Sequence, residues 1–483
     1  MKKLYYAISL IMALSMVLMT FSPSVAARPT GNWRSGIACQ NLDSVNDSTV
    51  VLTFYPEGSG TAAVTYNSTI LAGQSKNWLT TSASSMPNFP SPFTGAGVVS
   101  SSTSIACNVN TENQGATGTT TNPYRSGTSQ GFSDSRTAIK LYVPQVMREY
   151  FGYNSYVSVQ NTGGSTVTVN VKYYNATTGL EVTAAAETAS IPAQSSKVFY
   201  QTDNTSLGTF LGAATIEAAD GTTKLAAIAN IYNNLASYSA AQLQSYNAVA
   251  AGSGSLFVPR FVRKFFGYNS GMSVQNIGTV DTTVTITFNF AGNQYIYTSP
   301  TIKQNASLPL YAPNIVEILG VDSLAMGDRA GSAKIVANAQ GGQVVAIINE
   351  DNRGGAGIEA WRNGQGSTYN APALGEETNT VFFAQITRKV INIFSGGFQV
   401  MNTTGVAGTC TIDYVAVPAA QELNVVLPAN SGFLRYAPNV ANLTDGFNAA
   451  VSVTCTQPVV GISNFQAVGQ YGDSFVQTNG LNR

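Results

Sequence analysis

The chain states one pattern four times. Its clearest copy reads Val143-Pro144-Gln145-Val146-Met147-Arg148, then Gly152-Tyr153-Asn154-Ser155, then Val157-Ser158-Val159-Gln160-Asn161. It returns as Val258-Pro259-Arg260-Phe261-Val262-Arg263, Gly267-Tyr268-Asn269-Ser270 and Met272-Ser273-Val274-Gln275-Asn276. The marker asparagines Asn161 and Asn276 stand 115 residues apart, and two weaker copies carry the marker at Asn41 and Asn402. A solenoid turn repeats every ~20–50 residues, so a period this long is a whole small domain. The expectation is four related modules over 28–125, 140–250, 255–372 and 380–483, set in a row. Residues 126–139 are read as a linker, in the Gly-, Ser- and Thr-rich stretch from Asn110 to Arg136.

Inside a module the strand signal dominates. Val167, Val169, Val171 and Tyr173 alternate with Thr168, Asn170 and Lys172, and Val284, Ile286, Phe288 and Phe290 repeat the pattern. Such alternation marks a half-buried strand, with Val169, Ile286 and Ile412 expected to face inward. Turn clusters such as Thr162-Gly163-Gly164-Ser165 follow each strand. Many short strands with few helical patterns predict an all-β chain of four tandem antiparallel, Ig-like β-sandwich modules. The first module has only Arg28 to Arg34 ahead of its marker strand, so it is expected to lack most of the Val-Pro opening strand.

The N-terminus reads as a secretory signal over residues 1–27. Lys2 and Lys3 precede the apolar stretch Ala7 to Met19, and Val25-Ala26-Ala27 offers small residues for a cut ahead of Arg28. No later stretch is apolar enough for a membrane span, so none is expected after the signal is removed. Four cysteines in an exported chain imply two disulfides, expected within modules as Cys39–Cys107 and Cys410–Cys455. By alignment Cys39 and Cys107 replace Val159 and Ala227, whereas Cys410 and Cys455 replace Val169 and Ala218.

Twenty-four basic residues balance 24 acidic ones, and charged residues are only 10% of the chain. That balance excludes a basic footprint for nucleic acid. The sequence has no histidine, which removes Ser-His-Asp and Cys-His catalysis and His-ligated metals. No recurrent carboxylate pair suggests glycosidase chemistry. The densest acidic spot, Glu350-Asp351, is read as a solvated loop in preference to a calcium site. No cofactor and no catalytic residue are assigned.

The recurrent residues are the remaining contact candidates. Arg148, Arg263 and Arg388 hold one equivalent position, read as an inter-module ion pair or an edge-blunting charge ahead of ligand contact. Gln160-Asn161 and Gln275-Asn276 are read as strand-end turn formers. Tyr153, Tyr268 and Trp361 are the aromatic platforms that a glycan-binding surface would need.

The Val-Pro, Gly-Tyr-Asn-Ser and Ser-Val-Gln-Asn motifs at this period, behind a signal peptide, resemble uncharacterised tandem-repeat β-sandwich proteins secreted by bacteria. The resemblance covers residues 141–349 well and the rest weakly. It implies export and a cell-envelope role, and it brings no activity and no functional residue. The function expected is that of a secreted, non-enzymatic structural or adhesive protein of the cell surface or extracellular matrix, self-assembling into an oligomer or filament. The alternative is a carbohydrate-binding surface protein. A glycoside hydrolase accessory protein stands behind both.

Overall fold

The computed structural model describes residues 28, 29, 31–233 and 242–482, so the expected signal segment lies outside the described residues. The described chain is built of antiparallel strands joined by turns, and its helical segments are short 3-10 turns, the longest being Val316–Ser323. Alternation explains the layers. Val167, Val169 and Val171 are buried while Thr168 and Lys172 are exposed, and Val169, Ile286 and Ile412 are fully buried.

Two stretches share one sandwich plan. In the second, one sheet runs Glu187–Ile191, Val167–Asn175, Phe210–Ala218, Lys140–Arg148. Its partner sheet runs Ser196–Tyr200, Asn154–Asn161, Leu225–Tyr232, Leu243–Asn247. The third stretch repeats the order, with Ser255–Val262 at the edge of one sheet and Gly366–Asn370 at the edge of the other. In the fourth, the long strand Asn448–Ala467 serves both layers, pairing with the opening strand Thr378–Thr387 in its first half and with Phe394–Asn402 in its second. In the first, one sheet has only Val64–Ile70, Ser48–Pro56 and Gly95–Ser101, with no opening strand among the described residues.

The opening prolines sit in bulges of an edge strand, where a missing N–H is tolerated. The register slips between Val143 and Val146 and between Val258 and Phe261. Tyr246 fills the first bulge: its hydroxyl accepts from Gln145 N–H at 3.2 Å and donates to the Gln145 carbonyl. Tyr369 does the same for Arg260.

Both disulfides join neighbouring strands within one unit, Cys39 to Cys107 and Cys410 to Cys455. Cys39 lies opposite Cys107 as Val159 lies opposite Ala227, and Cys410 opposite Cys455 as Val169 opposite Ala218. The alignment therefore places each bridge on a cross-strand pair that the second unit fills with small apolar side chains.

The units do not form a row. Four strands, one late in each unit, meet around one axis: Tyr124–Gln130, Leu243–Asn247, Gly366–Asn370 and Val476–Asn479. Asn247 donates to the Gln130 carbonyl at 2.7 Å and accepts from Gln130 N–H at 3.1 Å. Asn370 makes the same pair of bonds to Asn247, and Asn479 to Asn370. Gln130 Nε2 reaches the Asn479 carbonyl at 3.5 Å and closes the circle. The ring also explains why 126–139 is not a linker. Its first residues are a strand, because Tyr124–Gln130 pairs with Ile105–Asn113 and takes a parallel partner in Gly472–Asp473. Small polar side chains suit a strand that neighbours crowd: a Cβ on Gly127 would lie 2.4 Å from Ser245 Oγ.

The second and third cores each borrow from the next unit. Ile347 of the third packs in the core of the second, and Ile462 of the fourth in that of the third.

Candidate functional site

The four marker asparagines are fully buried. Asn161 Nδ2 donates to the carbonyls of Ser165, Ile191 and Pro192, and its Oδ1 accepts from Gly163 N–H. Asn276 and Asn402 do the same in their units, and Asn41 in the first. They are strand-end turn formers, with no group left to hold a ligand.

The repeated arginines tie loops inside their own units, which corrects the inter-module reading. Arg263 is almost fully buried, donates to the Ala312 carbonyl and pairs with Asp322 at 2.8 Å. Arg388 pairs with Asp445 at 2.8 Å and donates to the Val440 carbonyl. Arg148 donates to the Gly208 carbonyl at 2.8 Å. A guanidinium fork suits such carbonyl-rich loop ends. Burial pushes the Asp322 carboxyl up, but Arg263 and Lys264 outweigh it and hold it below the usual range.

Tyr153 and Tyr268 are not exposed platforms. Tyr268 is 3% exposed, lies 5.0 Å from the Phe475 ring, and its hydroxyl donates to Gln365. The Tyr153 hydroxyl donates to Gln242. Burial raises both hydroxyls above their ordinary range. Each tyrosine anchors its turn to the start of an axial strand. Trp361 is half-buried under the Arg362 guanidinium, 4.4 Å from its ring centre.

At the same end of the ring lies Asp473, fully buried. Its carboxylate accepts from Leu243 N–H at 2.9 Å and Gly366 N–H at 2.8 Å, joining three units. Burial pushes this carboxyl well above the usual range, against those N–H groups, the Phe475 N–H and the more distant Arg125. Glu350 and Asp351 are not a solvated loop either. Glu350 lies in a strand, held by both Arg260 nitrogens at 2.8 and 2.7 Å and by Gln477 at 2.8 Å. Asp351 takes Arg353 at 2.7 Å. Among the described residues no cluster of three metal-ligating side chains occurs.

Each anchored tyrosine closes a turn. Tyr150 and Tyr153 exchange backbone bonds around Phe151-Gly152, as Phe265 and Tyr268 do around Phe266-Gly267. Phe151 has φ 50° and Gly152 φ 83°, and Phe266 and Gly267 have 48° and 85°. These are two-residue turns of type I′, where Asn-Gly is the favoured sequence. The fourth unit turns through Ile391 and Asn392, at φ 46° and 66°. Just before each turn Glu149, Lys264 and Lys389 also have positive φ, near 50°. Asn154 Oδ1 and Asn269 Oδ1 accept the first two of these N–H groups, and Ser395 Oγ the third. The Gly-Tyr-Asn-Ser motif is thus a device for holding this turn.

The tips point outward. Phe151 is 84% exposed, Ile391 73% and Phe266 41%. A bulky residue in the left-handed region is uncommon and strained. Because the axial bonds relate the units in one sense, the turns emerge at one end, around Asp473. The tips escape a search for charged or aromatic platforms. Their signal is an apolar residue standing where a turn calls for asparagine, ahead of Gly152 and Gly267.

No family model and no curated protein matches the chain. Among solved structures, one stretch is similar to a protein described as Thermotoga maritima 1070, at 16% identity and a TM-score of 0.19, covering 25% of this chain and 95% of that one. No helix among the described residues is long and apolar enough to cross a membrane.

Proposed function

We propose that this is a secreted, non-enzymatic structural or adhesive protein of the cell surface or extracellular matrix, and that the end bearing Phe151, Phe266 and Ile391 makes its contacts. One observation carries the reading: the chain places an exposed apolar side chain three times on left-handed backbone where the turn itself favours asparagine or glycine. Strain held in an exposed position is a mark of use. Three weak contacts on one rigid ring raise avidity without new chemistry. Two disulfides suit an oxidising compartment. The glycan-binding alternative draws no support from Tyr153 and Tyr268, whose hydroxyls and rings are taken up inside the ring.

The test is binding of the purified protein to the envelope or matrix fraction of its own cells, beside the triple variant Phe151→Ser, Phe266→Ser, Ile391→Ser. Retention of the parent and loss of the variant is the expected result. Equal retention of both, or a parent found only free in the medium, would discard the proposal.

A further inference from the structure

Among the described residues the first unit has no opening strand. In the other three units the strand before the marker strand pairs with the equivalent of Gly95–Ser101: Lys140–Arg148 with Phe210–Ala218, Ser255–Val262 with Ala330–Ala337, and Thr378–Thr387 with Asn448–Ala467, the last also taking Leu481–Asn482 on its other side. Among the described residues Gly95–Ser101 of the first unit has a partner on one side only, Ser48–Pro56. Ser102 and Thr94 bond to that partner. By strand alternation the N–H and C=O groups of Gly95, Gly97, Val99 and Ser101 therefore point to the open side. The segment carries no charge and no proline, the usual devices that blunt an edge.

The facing surface of the second unit is less covered than its counterpart in the third. In the third unit Ser273, Gln275 and Ile347 lie under the neighbour's opening strand and are 2%, 0% and 0% exposed. Ser273 Oγ and Ser307 Oγ both donate to the Pro144 carbonyl, at 2.9 and 3.2 Å. Register places Ser158, Gln160, Ile228 and Ser196 at the same positions in the second unit. There Ser158, Gln160 and Ile228 are only partly buried. Ser196 is buried, and its Oγ has no partner. Among the described residues no strand supplies here the hydroxyl acceptor and the apolar cover that Lys140–Arg148 gives the third unit.

The chain itself leads to this place. Arg28 lies on the same face of the second unit, paired with Asp203 and 4.3 Å over the Tyr200 ring. The residues just ahead of it read Thr20-Phe21-Ser22-Pro23-Ser24-Val25-Ala26-Ala27. Phe21-Ser22-Pro23-Ser24-Val25 repeats the aromatic-x-Pro-x-apolar order of Tyr142-Val143-Pro144-Gln145-Val146 and Phe257-Val258-Pro259-Arg260-Phe261. We infer that the groove between Gly95–Ser101 and the second unit is a strand acceptor whose occupant is Thr20–Ala27 of this chain. The tail of the expected export signal is then also the missing opening strand. A cut ahead of Arg28 leaves the first unit with an acceptor edge that a strand of the same sequence refills. Main-chain bonds supply affinity and the alternate apolar side chains supply register.

The experiment compares a chain starting at Arg28 with one starting at Met19, each titrated with a synthetic peptide of residues 19–28. The expected result is saturable one-to-one binding to the shorter chain, with a raised Tm, and none to the longer chain. A peptide with Val25→Asp should bind at least about tenfold more weakly, as should the parent peptide to a chain carrying Ile228→Ser. No binding to the shorter chain, or equal binding to both, overturns the inference. If the shorter chain does not fold while the longer does, Ile228→Ser is read in the longer chain. A lowered Tm there supports the covered position, and an unchanged Tm overturns it.

Discussion

Asn370 and Asn247 clasp one another across two units: Asn370 Nδ2 donates to the Asn247 carbonyl at 2.7 Å, and Asn247 N–H donates back to Asn370 Oδ1 at 3.1 Å. The clasp repeats around the axis with Asn247 on Gln130 and Asn479 on Asn370. One amide side chain thus does what a ladder partner would do, at a place where four strand edges meet. Edges left unpaired invite other chains, and this ring consumes four of them.

Removing one clasp should loosen the whole circle. Asn370→Ala strips a partner from both the N–H and the C=O of Asn247, at a partly buried site. The expected loss is about 1–3 kcal/mol, since each orphaned buried group costs roughly that range when fully enclosed. Asn370→Asp keeps the acceptor and loses the donor, so it should fall between. Urea unfolding measures both. An Asn370→Ala protein as stable as the parent would mean that the ring is a consequence of packing and not a cause of it.

The first disulfide should matter most to the first unit, whose other sheet has only three strands among the described residues. Replacing Cys39 by Val and Cys107 by Ala copies the Val159–Ala227 pair of the second unit, so packing is conserved and only the cross-link is lost. For a loop of 68 residues the chain-entropy model gives about 4 kcal/mol. Calorimetry should show one transition moving to lower temperature while the remainder holds. If no transition moves, the reduced unfolded chain is already constrained by the rest of the ring.

Two carboxyls should give opposite pH dependence. The Asp473 carboxyl is raised in the folded protein, so as pH climbs above about 4 the unfolded chain releases a proton that the folded chain still holds. Its contribution is therefore greatest in acid and declines toward neutral pH. Asp322 is held low by Arg263 and Lys264, so its contribution stands above about pH 4 and is lost as pH falls. Asp473→Asn should flatten the neutral side of the stability profile and Asp322→Asn the acid side. Denaturant unfolding across this range reads both slopes. Unchanged slopes in either variant would remove that group from the account.

Much of the fold is legible in local sequence. Alternation around Val169 and Ile286 gives the strands because one face of each sheet is buried, and the repeat itself locates the cysteine pairs. The ring is not legible, because its decisive residues look like loop composition. Thr128, Ser129 and Gln130 sit in a Gly- and Ser-rich stretch that pairs with Ile105–Asn113, but the partners that place it on the axis, such as Asn247 and Asn479, lie more than a hundred residues away. Tyr153 and Tyr268 mislead for a related reason. A conspicuous aromatic in a turn motif suggests a platform, but the glutamines that receive their hydroxyls, Gln242 and Gln365, lie far along the chain. Asp473 gives little local signal, since Leu243 and Gly366, two of its backbone donors, belong to two other units.

The turn tips give the sharpest separation of folding from use. Phe151 holds φ 50° in a type I′ turn, a conformation that disfavours side chains other than asparagine, aspartate and glycine by roughly 1–2 kcal/mol. Against this it makes one edge-on ring contact, to Tyr150, with ring centres 4.7 Å apart, and it is 84% exposed. Phe151→Asn should therefore stabilise the protein, by about 0.5–1 kcal/mol once the ring contact is subtracted. Phe266→Asn should gain less, because Phe266 is more covered and the Arg362 guanidinium lies 6.0 Å from its ring. Both variants should lose retention on the envelope or matrix fraction while gaining resistance to urea. A protein made more stable and less adhesive by one substitution has kept a residue for its contacts and not for its fold. If Phe151→Asn instead lowers stability, the phenylalanine is structural and the tips no longer support a contact surface.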